Sequence, residues 1–105
     1  MARSTRFIRR GVKGTVRQNL NFAPIRQNSA VIITACEFSF SGGLSGSGGR
    51  PFLGDASVYV TNISPHDPEI GVGGVEFLIH ADSPTPIDVM VTITVLEDVE
   101  QTIVL

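Results

Sequence analysis

From residue 29 onward, apolar and polar side chains alternate with a period of two, the mark of half-buried strands rather than helices. The clearest run is 87–96. Ile87, Val89, Val91, Ile93 and Val95 point one way, and Asp88, Met90, Thr92 and Thr94 the other. Its β-branched residues suit a pleated surface. The run 71–81 sets Val75, Phe77, Ile79 and Ala81 against Glu76 and His80, and 56–63 sets Val58 and Val60 against Ser57, Tyr59 and Thr61. In 29–41 the even positions (Ala30, Ile32, Thr34, Cys36, Phe38, Phe40) form the apolar set, with Glu37, Ser39 and Ser41 on the other face. Val31 and Ile33 add deeper burial at the start of that strand. A last strand is expected over 99–105, returning after a tight turn at Glu97 and Asp98. Turns are expected at 64–68 and 82–86, where Pro, Ser and Asp cluster. The glycine- and serine-rich stretch 42–49 reads as a flexible loop. No helix is expected after residue 28. Strands at roughly 10-residue spacing with Pro and Gly turns predict a small antiparallel β-sandwich or barrel of about 5–7 strands.

Residues 1–28 differ. Phe7, Ile8, Val12, Val16, Leu20 and Phe22 are spread among polar residues. Val16, Leu20 and Phe22 share a parity that would suit an edge strand over 15–22, and Pro24 breaks any ladder beyond it. Arg3, Arg6, Arg10, Lys13 and Arg17 follow three- and four-residue spacing, which would line one helical face. Gly11 and Gly14 oppose a free helix. The segment therefore reads as an extended basic N-terminal arm that gains structure on a partner. The expected organisation is an arm at 1–28 and a β-sandwich body at 29–105.

Charge sharpens this division. Of eight Lys and Arg residues, seven (Arg3, Arg6, Arg9, Arg10, Lys13, Arg17, Arg26) precede position 27, and all ten Asp and Glu follow position 36. The formal net charge of −2 thus hides a dipolar chain, and such asymmetry points to an interaction tail. At 105 residues the chain suits one domain. Its 42% hydrophobic and 17% charged content is globular and leaves much neutral surface. The one cysteine, Cys36, excludes an internal disulfide framework, and its apolar neighbours suggest a buried thiol. The arginines near the start precede no apolar core of a signal peptide. No window approaches a membrane-spanning helix.

Candidate chemistry is sparse. The glycine loop lacks a Gly-Lys-Ser/Thr ending and leads into no helix, so it cannot cradle phosphate in the usual way. His66, Asp67 and Glu69 share one turn and His80 and Asp82 flank another, without the spacing of zinc or calcium ligands. Gly46-Ser47-Gly48 lies in the loop, away from any strand–turn–helix nucleophile elbow. No enzyme, metal site or cofactor is expected.

The basic segment is the candidate site. Arg3, Arg6, Arg9, Arg10, Lys13, Arg17 and Arg26 would pair with carboxylates through bidentate forks or point charges, with Phe7 and Phe22 as apolar anchors. The partner surface is present in the same chain, because the body is acidic. Strand edges also lack lysine, the usual guard against pairing; Lys13 is the sole lysine. The expectation is a structural subunit of a multi-copy assembly, its partners being copies of itself or another structural (capsid or tail) protein. This organisation looks like virion components of the capsid-decoration or tail kind, where an arm ties down a compact β domain. That likeness, one of architecture, implies assembly in the cytoplasm and residence in the virion rather than secretion or membrane attachment. Two alternatives stand beside it. One is a nucleic-acid-binding protein whose arm grips phosphates. The other is a ligand- or carbohydrate-binding sandwich using 42–55 and 64–74, although the chain has no Trp and one Tyr to stack on sugars.

Overall fold

A computed structural model describes residues 2–41 and 48–105. Among these, none is helical and seven strands form two antiparallel sheets. The strands are β1 (Arg3–Val12), β2 (Gly14–Asn21), β3 (Ser29–Ser39), β4 (Arg50–Phe52), β5 (Ser57–His66), β6 (Gly74–Asp82) and β7 (Ile87–Asp98). One sheet has the order β1-β7-β3-β4 and the other β2-β6-β5. The all-β sandwich expected from the period-two pattern is the observed fold. The loop expected at 42–49 lies largely outside the described residues.

The core lies between the sheets and comes chiefly from β6 and β7. Val75, Phe77, Ile79 and Ala81 of β6 face Val89, Val91, Ile93 and Val95 of β7, all buried. These are the inward sets that alternation assigned. Each of the two strands is central in its sheet, so its backbone ladder is filled on both sides and only the inward face needs apolar cover. Ile25 sits in the crossing from β2 to β3 and is fully buried, closing one end of the core. Backbone bonds from Phe22 N–H to Gly73 O and from Ile25 N–H to Phe22 O hold that crossing.

Residues 3–21 do not stand off as an arm. They form β1 and β2, the outermost strands of the two sheets on one side of the sandwich. The chain passes from one sheet to the other at Gly11 and Gly14, whose φ angles are 68° and 70°. Only glycine takes that left-handed conformation readily. The glycines that argued against a helix therefore make the corner. A register shift in the β1–β7 ladder between Arg9 and Val12 marks a bulge at the same place. It carries the inward set from odd (Phe7) to even (Val12, Val16, Leu20) positions. The expected edge strand at 15–22 is observed as β2.

Three further expectations are corrected. In β3 the even residues are the expected half-buried set; the inward residues are instead Val31 and Ile33, whose burial is also expected, together with Ala35, and they register with Val95, Ile93 and Val91 of β7. The even set faces outward, with Ile32 51% exposed. Ser64, Pro65 and His66, expected as a turn, extend β5 beyond a bulge at Asn62, where φ is 57°. Proline fits there because β5 is an edge strand. Residues 99–105 form no strand. Their neighbour β7 is already flanked by β1 and β3, so no ladder position remains beside it.

Candidate assembly surface

The outward face of the β1-β7-β3-β4 sheet is built by the ladder register. Ile8, Met90 and Cys36 lie side by side across β1, β7 and β3. One step along, Arg6, Thr92 and Thr34 align, and Ser4, Thr94 and Ile32 follow. The Arg6 Nε donates to Thr92 Oγ1 at 2.8 Å. Phe38 and Phe40 meet edge to face with ring centroids 5.0 Å apart, and the Arg10 guanidinium lies 3.7 Å above the Phe40 ring. Met90 is 8% exposed although it points away from the core, so its neighbours on this face already cover it. Cys36 is half-buried here rather than buried in the core. The face thus carries an apolar strip, Ile8–Met90–Cys36 with Phe38 and Phe40 and with Arg10 over Phe40, and a separate exposed Ile32 beyond the polar row Arg6–Thr92–Thr34.

The opposite outward face, on β2-β6-β5, is polar and internally paired. Thr15, His80 and Tyr59 align across the three strands. The His80 Nδ1 lies 3.0 Å from Thr15 Oγ1 and its Nε2 2.7 Å from Thr61 Oγ1. The imidazole stacks on the Tyr59 ring at 4.5 Å and 10°. The Arg17 guanidinium donates from Nε and Nη2 to Glu76 Oε2 at 3.0 and 2.8 Å. His66 Nε2 lies 2.8 Å from Asn19 Oδ1. At the end of this face an open depression of about 470 Å³ is lined by polar residues including His66, Asp67 and Glu76. Among the described residues no three His, Cys, Asp or Glu side chains converge as metal ligands.

The nine residues expected as a partner-binding arm divide into three groups. Phe7 and Phe22 pack against the protein's own core, Phe7 with its ring 6.3 Å from Phe77. They are not external anchors, because the strands that carry them cover the sandwich. Arg9, Arg17 and Arg26 are engaged within the fold. Arg9 Nη1 meets Gln18 Oε1, Arg17 pairs with Glu76, and Arg26 Nη1 donates to the carbonyls of Ala23 and Ile25. Arg3, Arg6, Arg10 and Lys13 are exposed along β1 and the corner after it. Arg3 and Lys13 have no side-chain partner among the described residues.

The sequence dipole survives as a side-to-side polarity. β1, β2 and the corner between them, with six of the eight cations, form one side of the sandwich. The other side is formed by β4 and β5 and carries Asp55, with Asp67 and Glu69 just beyond β5. Sequence reasoning found the cations through their clustering. It missed the outward apolar strip, because the even positions of β3 read only as the apolar set of a half-buried strand and not as a surface for a partner. No family model, curated protein or solved structure matches this chain, and the surfaces themselves carry the argument about function.

Proposed function

We propose that this protein is a non-enzymatic structural subunit of a multi-copy assembly, of the capsid-decoration or tail type. The observation that supports this reading is the apolar strip on an outward sheet face. A half-solvated antiparallel sheet ordinarily keeps that face polar, and here Ile32 and Phe40 stand exposed on it with half-buried apolar neighbours and arginines beside them, the composition of a contact surface. The polar face of the other sheet gives the subunit one wet side and one adhesive side.

The test is light-scattering mass of the nuclease-treated full-length protein, alongside Ile32→Asp and Phe40→Asp. Both positions are solvent-facing, so the fold should survive these changes. A mass several times 11.2 kDa that falls on either substitution supports the reading. A monomer at every concentration overturns self-assembly.

A second reading rests on the exposed cations of β1. Arg3, Arg6, Arg10 and Lys13 would neutralise phosphates without reading sequence. It predicts copurifying nucleic acid whose binding weakens steeply with salt, and Arg3→Gln with Lys13→Gln reducing that slope.

A further inference from the structure

Residues 99–105 carry the features of a strand without a sheet. Every one of them is exposed, including Val99, Ile103, Val104 and Leu105. The run Thr102-Ile103-Val104 is β-branched throughout, a composition suited to pleated pairing. Alternation would put Val99, Gln101, Ile103 and Leu105 on one, mainly apolar, face and Glu100, Thr102 and Val104 on the other. Within the described residues the segment's hydrogen bonds stop at Val99. Its N–H donates to Asn28 O at 2.9 Å, and its carbonyl accepts from Asn28 Nδ2 at 3.4 Å.

The sandwich has one long edge that matches this segment. β1 is the outermost strand of its sheet and runs for ten residues, so half of its backbone groups face outward without a ladder partner. It carries the exposed Arg3, Arg6 and Arg10, while Asp98 and Glu100 bracket the start of the segment. The other edges fit less well. β4 has three residues, β5 is broken by the bulge at Asn62 and followed by Asp67 and Glu69, and the Arg17 of β2 is already paired with Glu76. Seven residues in strand conformation span roughly 23 Å, about the length from Arg3 to Arg9.

The segment cannot fill its own β1 edge. Val99 is tied to Asn28, which leads into β3, and β3 lies on the side of β7 opposite β1. It is steered away from that edge at its first residue. We propose that residues 99–105 of one copy add as a strand to the β1 edge of a second copy. This contact rests on the self-assembly reading and specifies its geometry. The sheet becomes five-stranded across the interface. The backbone ladder supplies affinity, and Asp98 and Glu100 against the β1 arginines select the edge. The apolar face of the added strand extends the Ile8–Met90–Cys36 strip. Donor and acceptor surfaces differ, so the contact is head-to-tail and propagates as a ring or filament.

The test uses two full-length variants. Thr102→Pro/Ile103→Lys removes a pairing N–H and places a charge in the donor segment. Arg3→Glu/Arg6→Glu reverses the acceptor edge. Both alter exposed side chains, and circular dichroism verifies that each is folded. Light scattering should give a multimer for the unmodified protein and a single-chain mass for each variant alone. An equimolar mixture should give twice the mass of 11.2 kDa and no more, because one working donor and one working acceptor remain per pair. A multimer that persists in the donor variant overturns the strand addition and leaves the assembly reading standing. A monomeric donor variant with a multimeric acceptor variant, or a mixture that stays monomeric, overturns β1 as the receiving edge. A monomeric unmodified protein overturns both the contact and the assembly reading.

Discussion

Phe7→Ala discriminates between a detachable basic arm and a strand that is part of the sandwich. The Phe7 ring is half-buried, lies against the core and sits 6.3 Å from the Phe77 ring at 43°. Truncating a fully buried Phe costs about 3–5 kcal/mol, the transfer term plus the cavity left behind. Half-burial, and a site at the edge of a sheet where neighbours can relax, reduce this to about 2 kcal/mol. A domain of this size has about 5–15 kcal/mol of stability, so the loss is a large fraction of the total. With a urea m-value of about 2 kcal/mol/M, the midpoint should fall by about 1 M. The assay is urea unfolding followed by circular dichroism at one fixed protein concentration, since assembly would couple to stability. Arg10→Ala is the control from the same strand. It faces outward and gives up a cation–π contact worth about 0.5–1 kcal/mol at an exposed site. Equal and negligible midpoint shifts for the two variants would refute the placement of β1 against the core.

Phe77→Ala, at a side chain only 2% exposed in a central strand, should cost about 3–5 kcal/mol and leave little folded protein in mild urea. Gly14→Ala should destabilise by about 1 kcal/mol through backbone strain alone, because its φ is 70° and nothing lies within 4 Å of the added Cβ; a change indistinguishable from zero in urea unfolding would count against the corner as described. A double-mutant cycle on Arg17 and Glu76 should give a coupling of only about 0.2–1 kcal/mol, since the side chains are 76% and 43% exposed. That coupling should disappear in high salt, and persistence there would indicate a drier pair than the structure contains.

How far the fold was legible depended on whether one rule governed a whole strand. β6 and β7 are unbroken, central and polar on most outward positions, so alternation alone assigned their inward residues correctly. β1 and β2 are interrupted by the bulge and corner between Arg9 and Gly14, where the inward parity switches. A period-two reading sees two short, dilute fragments there, and the seven cations then suggest an arm. β5 hides its second half in the same way, behind the bulge at Asn62. The error in β3 has a different origin. Both of its faces are apolar, with Val31, Ile33 and Ala35 inside and Ile32, Phe38 and Phe40 outside, so composition cannot choose between them. The choice is made by pairing with β7, a non-local fact. That ambiguity also concealed the candidate site, since a strip suited to a partner is written in the same residues as a core. The run 99–105 has the composition of a strand but no edge of its own chain to join.

These features bear together on the symmetry of any assembly. A two-fold contact is isologous and brings each surface against itself. Edge-to-edge pairing of β1 with a second β1 would bring two sets of the β1 arginines together along one ladder, and like charges across a ladder are destabilising. The acidic side presents the same problem to a copy of itself through Asp55, Asp67 and Glu69. A contact between unlike sides avoids both, because it sets cations against carboxylates at each junction and leaves the polarity of the chain unbroken. In the proposed contact the same polarity would limit non-productive pairing, since like-charged β1 edges repel one another and an acidic donor does not. The scarcity of lysine on the strand edges is consistent with this arrangement. In the proposed contact, arginine would guard β1 against its own kind while remaining able to fork onto a carboxylate, so the same side chains would serve both protection and recognition. Head-to-tail association, rather than a symmetric dimer, is therefore the geometry that the charge distribution and the open β1 edge favour together.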